Sequence, residues 1–466
     1  MAGLRISGTA GGGPDVAAGI WGDFVLRQPN DGAVRRGGAG SIGRLVLAVL
    51  LGASLGVGLP KSRGSADVPR GAPVTNLPTA TATFEAVGFK DLPGWDKDDH
   101  LAAFKAFLVS CPRIKAADRA GNKAGAIAIP PALLAACDAA AKLPTPVTRA
   151  TARAFFEREF TPHRVVHPAT QGLLTGYYEP VLDGSRTQTE RFATPIYKRP
   201  ADLVNLVHEA QRGAKADQLT HARKTAKGTE PYSTRAEIEA GALTGKNLEL
   251  LYLADPVDTF FMHIQGSGRI KLTDGTTVRV HYDGKNGHPY TSIGRYLIDQ
   301  GILAADKISM GALGRWLRTD PDRGRQVMQQ NASFVFFREL AEAEASGPLG
   351  VLSIPLVAGR SLAVDAGVHA IGTPMYVTSS ALKHASDATK KDGFHRLMVA
   401  HDVGSAIRGP ERGDIYFGSG DAAGRLAGVT KHPGSFFVLL PGPAASAIET
   451  GTVNRAAPVR TRRATQ

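Results

Sequence analysis

The chain has 466 residues, 43% of them hydrophobic and 7% aromatic, enough for two or three domains with a substantial core. Its formal charge of +13 invites a nucleic-acid or membrane reading, but seven Lys/Arg against three Asp in residues 1–66, and four Arg with no acid in residues 454–466, supply most of it. No RNP motif, zinc-finger spacing or basic-aromatic stripe accompanies the charge. Composition therefore argues against a nucleic-acid partner and for basic ends on a mildly basic globular protein.

The first predicted element is an address. In "SIGRLVLAVLLGASLGVGLPKSRGSADVP" an apolar run, Leu45 to Leu59, follows Arg35, Arg36 and Arg44. Such a run is short for a membrane span and suits the apolar part of an export signal. The stretch ahead of Arg35 is long for the start of such a signal, so the expectation is a later start codon or an uncleaved anchor. No cysteine adjoins the run, which argues against a lipoprotein anchor. Residues 1–66 thus read as an export or anchor region that directs the rest to the bacterial periplasm or cell envelope. Residues 67–83, rich in Pro, Thr and Ala, read as a linker.

From Phe84 to about Phe160 the pattern is helical. "DDHLAAFKAFLVSC" sets Leu101, Phe104, Phe107 and Leu108 at helical spacing behind acidic residues, and "TRATARAFFEREF" repeats the device with Phe155, Phe156 and Phe160. Cys111 and Cys137 are the two cysteines of the chain. In an oxidising compartment they read as one disulfide, or otherwise as two buried thiols; with no Cys/His partner nearby they make no zinc site.

"GLLTGYYEPVLDGSRTQTERFATPIYKRP" alternates apolar and aromatic residues between Gly and Pro, as strands and turns do. Tyr177 and Tyr178 at adjacent strand positions face opposite ways, one to the core and one to a cleft. "STRAEIEAGAL" reads as a helix, with Thr234 and Glu237 at capping-box spacing. "LELLYLADPVDTFFMHIQGSGRIKLTDGTTVRVHYDG" reads as three strands broken at "GSG" and "TDGT". "FMHIQGSG", residues 261–268, then lies between strands and has no phosphate-binding context. Gln265 and Ser267 are suited to hydrogen-bonding a sugar that the flanking glycines let approach, or the stretch is an ordinary hairpin turn. "SIGRYLIDQG" and "MGALGRWLRTDPDRGRQVMQQ" return to helix. From Ser333 to Leu440 strands dominate: "SFVFF", "VLSIPLV", "SLAVD", "MYVTS", "RLMVAHD", "DIYFG" and "SFFVLL". Residues 442–466 read as a disordered basic tail.

Chemistry is carried by three aspartates. Asp365 ends "SLAVD", Asp402 ends "RLMVAHD" and Asp414 starts "DIYFG", each beside a glycine-rich turn. Singly each reads as a turn residue; together, at the strand edges of one small β unit, they can converge on one cleft. His263, His281, His288, His369, His401 and His432 are scattered without metal-ligand spacing, so neither a metal nor a cofactor is expected. A Ser-His-Asp hydrolase is not supported, because no G-x-S-x-G elbow occurs.

In order along the chain, "GLLTGYYEPVLDGS", "TPIYKRP", "DTFFMHIQGSGRIKLTDGTTVRVHYDGKNGHPYTSIGRYLIDQG", "NASFVFFRE", "SIPLVAGRSLAVD" and "RLMVAHDVGSAIRGPERGDIYFGSGDAAGRLAG" resemble the membrane-bound lytic murein transglycosylase A family, from about residue 171 to residue 440. The resemblance implies a mainly β fold with N-terminal helices. A double-psi β-barrel domain, built from residues 84–190 and 346–441, would carry a three-aspartate module at its C-terminal end. A smaller β domain, residues 191–345, would be inserted into it across a groove.

The same resemblance implies cleavage of peptidoglycan glycan strands without water. One aspartic acid protonates the bridging oxygen and then, as a carboxylate, takes the proton of the muramic acid C6 hydroxyl as that hydroxyl closes a 1,6-anhydro ring. The usual glycosidase pair is then unnecessary. On this chain Asp414 matches the catalytic position, with Asp402 and Asp365 in support. Thr175, Tyr177, Gln265, Gly266, Ser267 and Gly268 match groove positions. Cell-wall synthesis or division complexes are the implied recruiters. A hydrolytic peptidoglycan glycosidase and a non-catalytic glycan-binding protein are the rival readings.

Overall fold

The structure, a computed structural model, describes residues 82–120, 129–168, 171–207, 219–341, 347–383, 393–404 and 406–442. The expected export region, all but the end of the linker and nearly all of the basic tail lie outside the described residues.

A short strand, β1 (Thr83–Ala86), leads into three helices: α1 (His100–Arg119), α2 (Pro131–Ala141) and α3 (Arg149–Glu159). Asp99 caps α1 by accepting from Ala102 N, and Thr148 caps α3 by accepting from Thr151 N, each filling one orphan donor of a helix start. Phe104, Phe107, Phe155 and Phe156 are fully buried and meet mostly edge to face around Phe160, with ring centroids 5.1 Å apart for Phe104 and Phe155. A disulfide joins Cys111 of α1 to Cys137 of α2. The buried pair Asp98–Arg360, with contacts of 2.9 and 3.0 Å, ties this helical segment to the strands beyond it.

Then follow β2 (Phe160–Val166), β3 (Gly172–Glu179), β4 (Val181–Ser185), β5 (Thr194–Tyr197), β6 (Leu203–Asn205), β7 (His221–Thr225), β8 (Gly228–Glu230), the one-turn α4 (Arg235–Glu237) and β9 (Glu249–Leu253). The helix α5 (Pro256–Gln265) precedes β10 (Ser267–Leu272) and β11 (Thr277–Lys285). Next come α6 (Ile293–Asp299), α7 (Met310–Thr319), α8 (Pro321–Met328) and β12 (Val335–Glu339). The chain closes with β13 (Ser361–Val364), β14 (Pro374–Ser379), β15 (Phe394–Val403), β16 (Arg412–Ser419), α9 (Gly420–Gly428) and β17 (Lys431–Pro441).

Six strands, in the order β17-β14-β15-β13-β16-β3 and back to β17, close into a barrel, with β1 and β2 added beside β17. The expected mainly β class with a barrel and N-terminal helices is the one observed. A second, six-stranded sheet runs β12-β11-β10-β4-β9-β5, and a third holds β6, β7 and β8. β4, which begins at Val181 and so ahead of Arg191, already belongs to the second sheet. The reason is local: Pro180 cannot donate into the ladder of β3, and the chain turns there to a new partner, β10.

Two expectations are corrected. "PVDTFFMHIQ" is helix, not part of the first strand of a meander, so "FMHIQGSG" runs from the end of a helix into a strand. Asp255 accepts from Val257 N at 2.7 Å and Asp258 N at 3.0 Å, Pro256 occupies the first helical turn, and Gly266 closes the helix in the left-handed region at φ 77°. "VLSIPLV" is not a strand. It forms a tight turn at Val351–Ser353, with Leu352 and Ser353 at φ 57° and 55°, and makes one bridge, Leu349 to Pro355. Pro355 has no N–H to extend a ladder.

Candidate active site

Asp414 sits in the middle of β16, between β3 and β13. In register it faces Thr175 on one side and Ala363 on the other, and Ala363 faces Asp402 on β15. Residues paired in this way share a face of the sheet, so Thr175, Asp414, Ala363 and Asp402 form one row. The pairing of β13 and β15 slips after Leu362, so that Ala363 meets Asp402 where regular register would have brought His401. That bulge turns Asp402 towards the cleft. His401 goes inside instead, its Nδ1 2.7 Å from Ser361 Oγ. Alanine between the two aspartates keeps the space over the row open.

Thr175 is fully buried, and its hydroxyl donates to Asp414 Oδ1 at 2.6 Å. Burial pushes the Asp414 carboxyl above its ordinary range, while the Arg412 guanidinium and the Thr175 hydroxyl pull the other way. Burial thus favours the protonated acid, and Thr175 is a donor already aimed at the carboxylate it becomes. Arg412 lies two residues earlier on the same strand, hence on the same face, and is itself buried. Tyr177, two residues beyond Thr175, packs its ring 5.3 Å from that of Tyr416. Its hydroxyl is buried beside Asp402 and Asp414 short of full hydrogen-bond geometry. Burial, followed by the Asp402 and Asp414 charges, holds that phenol well above the ordinary tyrosine value.

Asp365 has a different task. One carboxylate oxygen accepts from Gly367 N at 3.0 Å and the other from Gly409 N at 2.9 Å, so it stitches the turn after β13 to the loop before β16. Asp402 Oδ1 accepts from Val403 N at 2.9 Å.

The opposite wall comes from the inserted part. Gln265, at the end of α5, accepts from Tyr178 N at 3.1 Å through Oε1, which leaves its NH2 to the cleft. Gly266 O accepts from Tyr282 N at 2.8 Å, and Ser267 opens β10. The seam between the walls is charged. Glu179, fully buried at the end of β3, binds Arg279 of β11, lies 3.6 Å from Arg269 of β10, and accepts from Ser419 at the end of β16. Together the two walls enclose about 280 Å³, lined by Tyr177, Gln265, Gly266, Ser267, Asp365, Asp402 and Asp414 among others.

The family whose description is "MltA specific insert domain" matches residues 173–338, and the 3D domain family matches residues 360–440. The chain is 36% identical over 281 residues to membrane-bound lytic murein transglycosylase A of Escherichia coli K12, which covers 59% of this chain and 68% of the relative. The chain belongs to the membrane-bound lytic murein transglycosylase A family. The Vibrio cholerae member is 34% identical over 271 residues, 57% of this chain and 65% of that protein. Among solved members, a membrane-bound lytic murein transglycosylase from Agrobacterium tumefaciens superposes with a TM-score of 0.69 at 35% identity, over 79% of this chain and all of that one. The E. coli protein with bound chitohexaose superposes with a TM-score of 0.56 at 30% identity, over 77% of this chain and 95% of that one.

In this member of the transglycosylase A family the structure brings most of the sequence-selected residues to one cleft, with two exceptions. Thr175 stands behind the cleft wall as the partner of Asp414. Gly268 does not line the cleft: a Cβ there would lie 2.4 Å from Met262 Sδ, so the position is glycine for packing of α5 on β10. Sequence reasoning passed over Arg412, Lys285 and His263, which also line the cleft. For Arg412 the signal was present in "RGD", since strand alternation puts it on the face of Asp414. For His263 the signal was hidden by reading its helix as a strand. Among the described residues no cluster of His, Cys, Asp and Glu could hold a metal ion, and no helix is long and apolar enough to cross a membrane.

Proposed function

We propose that this chain cleaves the β-1,4 bond between N-acetylmuramic acid and N-acetylglucosamine in peptidoglycan glycan strands, with Asp414 as sole acid and base. The observation that carries the reading is the Asp414 carboxyl itself, raised by burial and bonded to the buried Thr175 hydroxyl in a cleft shaped by both walls. Family membership and the chitohexaose bound to a similar solved protein support a glycan in that cleft.

In the first step Asp414 gives its proton to the glycosidic oxygen as the bond from that oxygen to C1 of muramic acid breaks, and the N-acetylglucosamine end leaves as an alcohol. The new carboxylate, held by Thr175, then takes the proton of the muramic acid C6 hydroxyl as its oxygen bonds to C1. The product is a 1,6-anhydro ring, and Asp414 ends protonated, ready for another turn. Asp402 supports charge at the reacting centre, and Asp365 holds the two loops that carry the aspartate strands.

One observation favours a second reading, an inverting hydrolase. Asp402 lies two strands from Asp414, roughly 10 Å between backbones, and a carboxylate pair about 6.5–9.5 Å apart is the spacing at which such enzymes hold a water. Product chemistry separates the two. A non-catalytic glycan binder is disfavoured by the presence of all three aspartates.

The word membrane-bound in the relatives' names supports a cell-envelope location, which residues 1–66 would direct. Cell-wall synthesis or division complexes would recruit the protein there. The test of the catalytic assignment is Asp414→Asn. It is expected to abolish release of muropeptides from sacculi while leaving chitohexaose binding and the melting temperature intact or raised; near-normal turnover would refute the assignment.

A further inference from the structure

His263 is 5% exposed and lines the insert side of the cleft, in the last turn of the helix that ends on Gln265. Its Nδ1 faces two donors: Arg235 Nη2 at 3.3 Å and Val335 N at 3.4 Å. Both can only donate, so Nδ1 must be the lone-pair nitrogen and the ring proton sits on Nε2. Arg235 cannot swing away to relax this. It is buried, donates to Asn331 O at 3.2 Å and Ser333 O at 2.8 Å, pairs with Glu239 at 3.3 Å, and lies over the rings of Phe260 and Phe334.

The other edge of the ring has no partner. Nε2 is buried, and no acceptor among the described residues takes its proton. Phe334 and Phe337 flank the imidazole at centroid distances of 4.5 and 5.3 Å and offer no in-plane acceptor. A buried N–H left unpaired is costly, and a site that keeps one commonly completes it with a ligand or an ordered water. Burial, reinforced by the Arg235 charge, keeps the ring neutral, so it acts as a fixed donor and not as an acid or base.

We propose that His263 is a substrate-positioning residue: its Nε2–H, oriented by Arg235, donates a hydrogen bond to an uncharged oxygen acceptor of the bound glycan, of the kind an N-acetyl carbonyl presents. The proposal rests on the peptidoglycan reading above. It adds a contact on the wall opposite Asp414, so that the sugar is held from the insert side while the acid acts from the barrel side.

The experiment is calorimetric titration of chitohexaose into the Asp414→Asn protein, which cannot turn it over, in three further variants. His263→Asn keeps an acceptor where Nδ1 was, for Arg235, and removes the distal donor. His263→Gln restores a donor near the Nε2 position. His263→Phe keeps the ring volume between the two phenylalanines and removes both nitrogens, which guards against a folding defect in the smaller Asn variant. The expected result is about a three- to tenfold loss of affinity in the Asn and Phe variants, the effect of one hydrogen bond, and recovery of most of it in Gln. Unchanged affinity in folded Asn or Phe variants would overturn the proposal, as would a Gln variant as weak as Asn. If chitohexaose fails to bind the Asp414→Asn parent itself, the peptidoglycan reading fails first, and this inference with it.

Discussion

The hydrogen bond from Thr175 to Asp414 gives the sharpest handle on the proposed mechanism. At 2.6 Å it has the length of a charge-assisted O–H···O⁻ contact, and Thr175 is fully buried, so water cannot replace the hydroxyl once it is gone. Thr175→Val keeps the shape and removes the donor. A hydrogen bond to a charged group contributes about 1.5–3 kcal/mol, which corresponds to roughly a ten- to hundredfold loss in the rate of the step that creates the carboxylate. A rate loss alone would not distinguish this from a packing defect, but the pH profile does. The hydroxyl stabilises the ionised acid, so its removal makes Asp414 hold its proton more tightly. The alkaline limb of kcat/KM, where the acid is lost, should therefore move to higher pH. The assay is release of anhydromuropeptides from sacculi across pH, followed by chromatography. A variant with the parent's rate and an unmoved alkaline limb, or one moved downward, would refute the reasoning.

The raised carboxyl of Asp414 also bears on stability. Its folded-state value lies above its unfolded value, so ionising it in place weakens the fold at neutral pH, and the penalty vanishes as pH falls below the ordinary carboxylate value near 3.8. Asp414→Asn should accordingly melt higher than the parent at pH 7, with the difference closing towards pH 3; a lower melting temperature at pH 7 would contradict the shift. At the seam, Glu179→Ala removes the buried carboxylate that Arg279 binds and should cost about 3–5 kcal/mol in urea unfolding. A loss within about 0.5 kcal/mol, as for an ordinary surface change, would mean that the seam is not the ionic clamp described above.

The barrel strands were legible because most are short β-branched or aromatic runs bounded by Gly, Asp or Pro, and β13 to β17 fall where "SLAVD", "MYVTS", "RLMVAHD", "DIYFG" and "SFFVLL" put them. The helix α5 was not, since Phe260, Phe261 and Met262 make a continuous apolar run that a buried strand would also show. The deciding signals were at its ends, the Asp255 cap with Pro256 and the closing Gly266. That Asp365, Asp402 and Asp414 share a cleft could be suspected from their strand-edge positions. That Asp402 shares the face of Asp414 could not, because it depends on a slip in register after Leu362 that no local propensity encodes. For the same reason the division of labour was hidden, with Asp365 bound to two backbone N–H groups and Asp414 to a buried hydroxyl. Nor could sequence separate His263 from the other scattered histidines, since its role follows from Arg235, on an element 28 residues away.

The most direct test of the central claim is mass spectrometry of the products that the purified protein releases from peptidoglycan sacculi. The account predicts muropeptides ending in 1,6-anhydromuramic acid, formed without uptake of solvent oxygen. Muropeptides ending in a reducing sugar, labelled when the reaction is run in 18O water, would contradict it: water would then be the nucleophile, and Asp402 the base that activates it.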